Sequence, residues 1–172
     1  MISLFYLGNI SNTATFVNED GVILLDPWEP PSDGVISLYF KTPYAKGTLL
    51  YNGVDNEDYF HLKILNETTM RLLYNIGNGV NNVDLELPDN KKLNDRSWHK
   101  VVVYRNMKEF GLKLDNLDGR NLNPLFLERD LDVPVDNRKL HVGTYPYDVS
   151  KGFVGCIRGL VRKFILLKTF HP

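Results

Sequence analysis

Residues 35–42, VISLYFKT, alternate strictly: Ile36, Leu38 and Phe40 fall on one face, and Ser37, Tyr39 and Lys41 on the other. A period of two marks a strand with one face buried, because successive side chains point to opposite sides of a sheet. Residues 59–65, YFHLKIL, repeat the pattern, with Phe60, Leu62 and Ile64 inward and Tyr59, His61 and Lys63 outward. The runs MRLLYNI (70–76), NVDLELP (82–88), WHKVVVYR (98–105) and FGLKLD (110–115) are further short segments rich in β-branched and aromatic residues. Turn signals separate them: Asp20-Gly21, Asp33-Gly34, Lys46-Gly47, Asn52-Gly53, Gly77-Asn78-Gly79, Asp89-Asn90, Asn94-Asp95 and Asp118-Gly119. Gly, Asn and Asp serve there because they tolerate positive φ or cap their own backbone. Turns spaced by roughly 8–12 residues indicate an antiparallel β-sandwich. No stretch sustains a 3.6-residue period, so the sequence predicts an all-β domain with helix almost absent. Residues 115–139, DNLDGRNLNPLFLERDLDVPVDNRK, are the least regular and read as a long connection over a sandwich rim, where binding loops sit.

The chain has 172 residues, of which 43% are apolar, enough for one good-sized core and one domain. A net charge of −1 provides no global field toward nucleic acid or an anionic membrane. No apolar run approaches the roughly 20 residues that span a bilayer. The first residues, MISLFYLGN, carry no basic residue ahead of the apolar run, unlike a signal peptide. The last, KFILLKTFHP, stop without a charged tail. Both ends therefore read as cuts through a longer polypeptide, with residues 1–13 and 165–172 as flanking segments. Asn9-Ile10-Ser11 and Asn66-Glu67-Thr68 fit the acceptor pattern for N-glycosylation, making Asn9 and Asn66 candidate sites.

Chemistry-bearing residues are sparse. Cys156 is the single cysteine, and it lies in SKGFVGCIRGLV (150–161) among apolar neighbours that would quiet a thiol. None of His61, His99, His141 and His171 sits in a nucleophile context, and one cysteine with four scattered histidines lacks zinc-ligand spacing. Asp84 and Glu86 share a strand face, as glycosidase carboxylates would, but Val83, Leu85 and Leu87 make the other face the core. These acids simply solvate the outside, and no enzymatic activity is expected. The acidic run DNED (55–58) at the mouth of YFHLKIL reads either as a solvated turn or as part of a calcium site drawing ligands from separate loops.

Several runs together resemble a known family: ISLYFKT (36–42), GTLLYNG (47–53), DYFHLKI (58–64), MRLLYNIGNG (70–79), KLNDRSWHKVVVYRN (92–106), LKLDN (112–116), KLHVGTYP (139–146) and GFVGCIRGL (152–160). Their order and spacing resemble a laminin G domain over residues 14–164. More narrowly, they resemble the LNS (laminin–neurexin–sex hormone-binding globulin) domains of neurexins and contactin-associated proteins. The resemblance implies a jelly-roll sandwich of the concanavalin A-like type. It also implies that Cys156 forms a disulfide with a cysteine lying downstream, outside this chain. Family members that bind Ca2+ use a carboxylate opening the strand written here DYFHLKI, plus carbonyls from neighbouring loops. Carried over, these are Asp58, the carbonyls of Ile76 and Val133, and a side-chain oxygen of Asp136. One or two carboxylates with neutral carbonyls imply a weak site, with a dissociation constant on the order of 10⁻⁴–10⁻³ M.

The function implied is a non-catalytic extracellular recognition module of a membrane-anchored, neurexin-like adhesion receptor. It would bind the ectodomains of other cell-surface proteins through its loop rim. Candidate contact residues are Asn78 and the tyrosines Tyr145 and Tyr147 of TYPYD (144–148), since exposed loop tyrosines bury large area at low entropic cost. Simple turn packing remains the rival role for those tyrosines. The alternative function is glycan or heparan sulfate binding, as in laminin G modules of matrix proteins, through the basic residues Arg158, Arg162 and Lys163.

Overall fold

The computed structural model describes residues 3–6, 13–29, 33–55, 57–77, 79–106, 109–122 and 139–166. Two antiparallel sheets face each other across one apolar core. The first sheet runs in the order β1 (Ser3–Tyr6), β13 (Gly155–Leu166), β4 (Asp33–Lys41), β9 (His99–Asn106), β10 (Glu109–Leu114) and β11 (Leu117–Leu122), with β2 (Ala14–Phe16) also paired to β13. The second runs β3 (Ile23–Leu25), β12 (Leu140–Val142), β5 (Gly47–Gly53), β6 (Tyr59–Ile64), β7 (Thr69–Asn75) and β8 (Asn81–Glu86). The only helical element among the described residues is a 3-10 turn at Val149–Lys151, capped by the Asp148 carboxylate.

Period-two patterning places the core as the sequence predicts. Ile36, Leu38 and Phe40 of β4 lie on the same sheet face as Val101 and Val103 of the neighbouring β9, and all five are buried. Across the gap lie Leu50, Phe60, Leu62, Leu72 and Tyr74. Trp28 closes one end; its ring meets Phe60 edge-on at 5.3 Å, and its backbone N–H donates to the buried Asn52 Oδ1 at 3.0 Å. Burying each large apolar side chain of this set contributes about 1.5–3 kcal/mol.

Two local expectations are corrected. Residues 115–139 do not begin as a loop: Asp115-Asn116 is the two-residue turn of a hairpin, and 117–122 pair with β10 as β11. Asp115 takes the positive φ, 51°. Asp118-Gly119, which resembles a turn in sequence, lies inside that strand opposite Lys113 and Leu112. Gly119 is needed there for space, because a β-carbon would come 2.6 Å from Leu85 Cδ2 of the facing sheet.

The second correction concerns Arg162, expected with Arg158 and Lys163 on a basic binding surface, and its cause is the parity of β13. Arg158 pairs with Tyr39 but Val161 with Ser37, so three steps along β13 match two along β4. This bulge is built at Gly159, whose φ of 61° suits a residue without a β-carbon. One extra residue inverts every later side chain, so Leu160 and Arg162 turn into the core while Arg158 stays outside.

Candidate functional site: the outer face of the second sheet and its rim

Cross-strand register builds the outer face of the second sheet. His141 of β12 pairs with Tyr51 of β5, Tyr51 with His61 of β6, and His61 with Leu73 of β7. One row further along, Thr48, Lys63, Arg71 and Asp84 follow in sequence across β5 to β8. Because paired residues share a face, a single outward surface carries three aromatic rings, two cations and a carboxylate. Arg71 grips Asp84 with two hydrogen bonds, Nε to Oδ1 at 2.7 Å and Nη2 to Oδ2 at 2.6 Å.

The loop between β12 and β13 folds onto this surface. Gly143 N–H donates to Leu49 O at 3.0 Å and Phe153 N–H to Gly143 O at 2.7 Å, which fastens both ends of the loop beside β5. Tyr145 is thereby laid over His61, ring centroids 4.8 Å apart and planes 9° from parallel. Its phenol donates to Asp55 Oδ2, while Tyr51 donates to Asp55 Oδ1 at 2.9 Å. Tyr51 also stacks on Tyr59 at 6.1 Å and meets Tyr147 edge-on at 5.9 Å, so it is fully buried although it points outward. Burial, followed by the contact with Asp55, pushes the phenols of Tyr51 and Tyr145 well above the usual tyrosine range.

His61 is 5% exposed, and its Nε2 lies 2.9 Å from Thr48 Oγ1. Burial, with Lys63 and Lys151 nearby, lowers its pKa to about 3, so the ring is neutral at physiological pH. Lys63 is likewise pushed below the ordinary lysine value, by burial first and then by Arg71 and Lys151.

At the mouth of β6, Asp58 is 4% exposed. Tyr59 pairs with Asn75, so Asp58 and Ile76 are the next residues outward on the two strands, at one end of the β6–β7 hairpin. Asn75 Oδ1 accepts from Gly77 N–H at 3.1 Å, closing the start of the loop that carries the Ile76 carbonyl. Carboxylate and carbonyl oxygens are the hard donors that Ca2+ takes. The remaining expected ligands, Val133 and Asp136, lie outside the described residues, as do Asn78 and Asn9. Among the described residues, no group of three or more His, Cys, Asp or Glu side chains is arranged to hold a metal ion.

The other candidates disperse. Tyr145 is half-buried as the clamp just described, whereas Tyr147 is 50% exposed. Asn66 is exposed in the β6–β7 turn, its Oδ1 accepting from Thr68 N–H, Thr68 Oγ1–H and Thr69 N–H. Cys156 is half-buried, its thiol 3.7 Å from Thr15 Oγ1 on β2. Arg158, Arg162 and Lys163 do not form one basic surface. Arg162 is 2% exposed and donates to the carbonyl of Asp26. Arg158 instead lies on the outer face of the first sheet, 4.1 Å above the Trp98 ring and 5.7 Å from Tyr39. Lys41 sits over Trp98 and Lys100 over Tyr39, completing a basic-aromatic patch that alternation in β4 and β9 could have revealed.

Residues 40–163 match the family model for the laminin G domain. The chain belongs to the laminin G domain family. Among solved structures, the mouse laminin α1 chain, domains LG4-5, is similar with a TM-score of 0.65 and 22% identity, over 96% of this chain and 42% of that one. The LG1-3 region of the laminin α2 chain is similar with a TM-score of 0.67 and 18% identity, over 90% of this chain and 31% of that one. This chain thus spans less than half of either laminin structure. The CBM40 of Ruminococcus gnavus IT-sialidase, bound to α2,3 sialyllactose, is similar with a TM-score of 0.59 and 16% identity, over 94% and 95% of the two chains. At these identities the structural likenesses show a shared sandwich. Laminin G domains are extracellular, non-catalytic binding modules. No helix among the described residues is long and apolar enough to cross a membrane.

Proposed function

We propose that this laminin G domain is the recognition module of a neurexin-like cell-surface adhesion receptor, gripping partner ectodomains through the rim at the β6–β7 end. The observation that carries this reading is the placement of Asp58, a nearly buried carboxylate, next outward from Tyr59 while Ile76 is next outward from Asn75. Asp58 and the Ile76 carbonyl would hold the weakly bound Ca2+, with Val133 and Asp136 as the remaining expected ligands. The ion would supply a positive anchor for a partner's acidic or polar groups. Tyr147, exposed on the neighbouring loop, adds an aromatic contact of the kind that interfaces favour. Calorimetric titration with calcium tests the metal: heat from the native chain that disappears in Asp58→Asn is expected, and identical heats overturn it. Binding of the chain to intact cells tests the partner class. Loss after protease treatment of the cells, with heparinase treatment harmless, is the expected result; the reverse pattern overturns protein recognition.

A second reading is favoured by the patch of Lys41, Lys100 and Arg158 around Trp98 and Tyr39. Three cations on a rigid sheet face suit a sulfated glycan such as heparan sulfate. Salt-sensitive retention on a heparin column that collapses in Arg158→Ala would support it, and flow-through of the native chain would overturn it.

A further inference from the structure

A cleft of about 260 Å³ opens on the outer face of the second sheet, walled by Tyr59, His61, Tyr145, Leu73 and Val80 and edged by Lys63 and Lys151, with the Asp55 carboxylate also in its lining. From it we infer a carbohydrate site, sharing no residue with the proposed calcium ligands or the basic patch, that takes a single carboxylate-bearing sugar ring, a sialic or uronic acid at the end of a glycan.

The walls are built before any ligand arrives. Tyr145 is held by stacking on His61, by its hydrogen bond to Asp55 and by the Lys151 ammonium 5.6 Å from its ring. Tyr59 is held by stacking on Tyr51. Rigid aromatic and aliphatic surface of this kind receives the apolar face of a sugar ring with little ordering cost. The cleft is smaller than the roughly 300–1,000 Å³ of typical drug-sized sites, which fits one ring rather than an extended oligosaccharide.

Charge decides the class. The carboxylates at the cleft already have partners: Asp55, in its lining, accepts from two phenols, Asp84 is held by two N–H donors of Arg71, and Asp148 by Lys151 at 2.9 Å and Ser150. Among the described residues, none stands within ion-pairing distance of Lys63. The cleft therefore presents a half-buried ammonium with room for an anion, and burial with neighbouring Arg71 and Lys151 already weighs against its charge. An incoming carboxylate relieves that cost through a charge-assisted hydrogen bond. The site lies over β5, β6 and β7, whose backbone groups are paired on both sides. A peptide finds no free strand edge there to pair with, so recognition must run through rings and side-chain donors, which suits a sugar.

The test uses this chain in solution with EDTA present, so that failure of the calcium reading cannot mimic failure of this one. Amide and side-chain NMR shifts are followed during titration with 3′-sialyllactose, a glucuronic-acid-terminated disaccharide, lactose, and N-acetylglutamate amide as a bare peptide-like carboxylate. Expected is saturable binding of one or both acidic sugars, with shifts centred on Lys63, Val80 and Tyr145, and no saturation with lactose or the amino-acid derivative. Lys63→Gln and Lys151→Gln should each weaken binding by about five- to tenfold while leaving the remaining spectrum in place. Binding of the sialylated or the glucuronic ligand alone identifies the source of the acid and supports the site. Lactose binding equal to sialyllactose, an equal response to N-acetylglutamate amide, shifts centred on Lys41, Lys100 and Arg158, or no saturation by either acidic sugar overturns it.

Discussion

The imidazole of His61 lies parallel to the phenol ring of Tyr145, centroids 4.8 Å apart. One ring belongs to the middle of a sheet and the other to a loop, so the pair fastens the loop to the sheet. A protonated imidazole in this position would sit buried beside Lys63 and Lys151. The folded chain consequently binds a proton there only near pH 3, whereas the unfolded chain takes one near pH 6.5. Between those values the unfolded state holds more protons, and stability must fall as the pH drops. Stability is expected to decline from about pH 6.5 toward pH 3, with His61 contributing up to about 1.4 kcal/mol per pH unit. Urea midpoints recorded across this range for the native chain and His61→Gln check it. A slope as steep in the variant as in the native chain would refute the assignment to His61.

Tyr145 and Tyr51 share one acceptor, Asp55, and the two contacts can be separated by deleting hydroxyls. Tyr145→Phe keeps the ring on His61 and removes one donor, at an expected cost of about 0.5–1.5 kcal/mol. Tyr51→Phe should cost at least as much, because its phenol is the more deeply buried. The double variant should lose more than the sum of the two, since it leaves the carboxylate of Asp55 without either phenol. Chemical denaturation of the three variants provides the test.

Much of this architecture was legible in the sequence because a half-buried strand writes its two faces as alternate residues. Ile36/Leu38/Phe40 and Phe60/Leu62/Ile64 are inward for that reason, and Tyr59, His61 and Lys63 line the outer cleft. What escaped is whatever depends on a neighbour distant in the chain. Asp118-Gly119 has turn chemistry, yet Gly119 answers to the methyl groups of Leu85 across the core. Tyr145 reads equally well as an exposed contact or as turn packing until the fastening of its loop to Leu49 is known. Alternation also fails silently at a bulge, and this is why Arg162 looked solvent-facing.

Arg158 and Arg162 should therefore respond oppositely to the same substitution. Arg162→Ala empties a buried position and removes the donor to Asp26 O, with an expected cost of about 2–4 kcal/mol. Arg158→Ala strips an exposed guanidinium from Trp98 and should cost under about 1 kcal/mol. Thermal unfolding of the two single variants distinguishes the bulged register from uninterrupted alternation, which would have placed both side chains in solvent.

The turn between β6 and β7 is organised by one side chain. Asn66 Oδ1 accepts from Thr68 N–H at 2.9 Å, from Thr69 N–H at 2.8 Å and from the Thr68 hydroxyl at 3.1 Å. Two backbone donors and a hydroxyl thus converge on an oxygen that alanine lacks, in the hairpin whose far end carries Asp58 and Ile76. Asn66→Ala should destabilise the chain by about 1–2 kcal/mol, the range for losing a side-chain cap over a turn. Asn66→Asp retains an acceptor oxygen and should cost less than half as much. Neither change should alter the calcium heat expected of the proposed rim site, because the turn lies at the opposite end of β6 from the rim. Denaturant unfolding and calorimetry on the same two variants would show whether the hairpin transmits a disturbance from one end to the other, and a calcium response that tracks the stability loss would contradict the separation drawn between them.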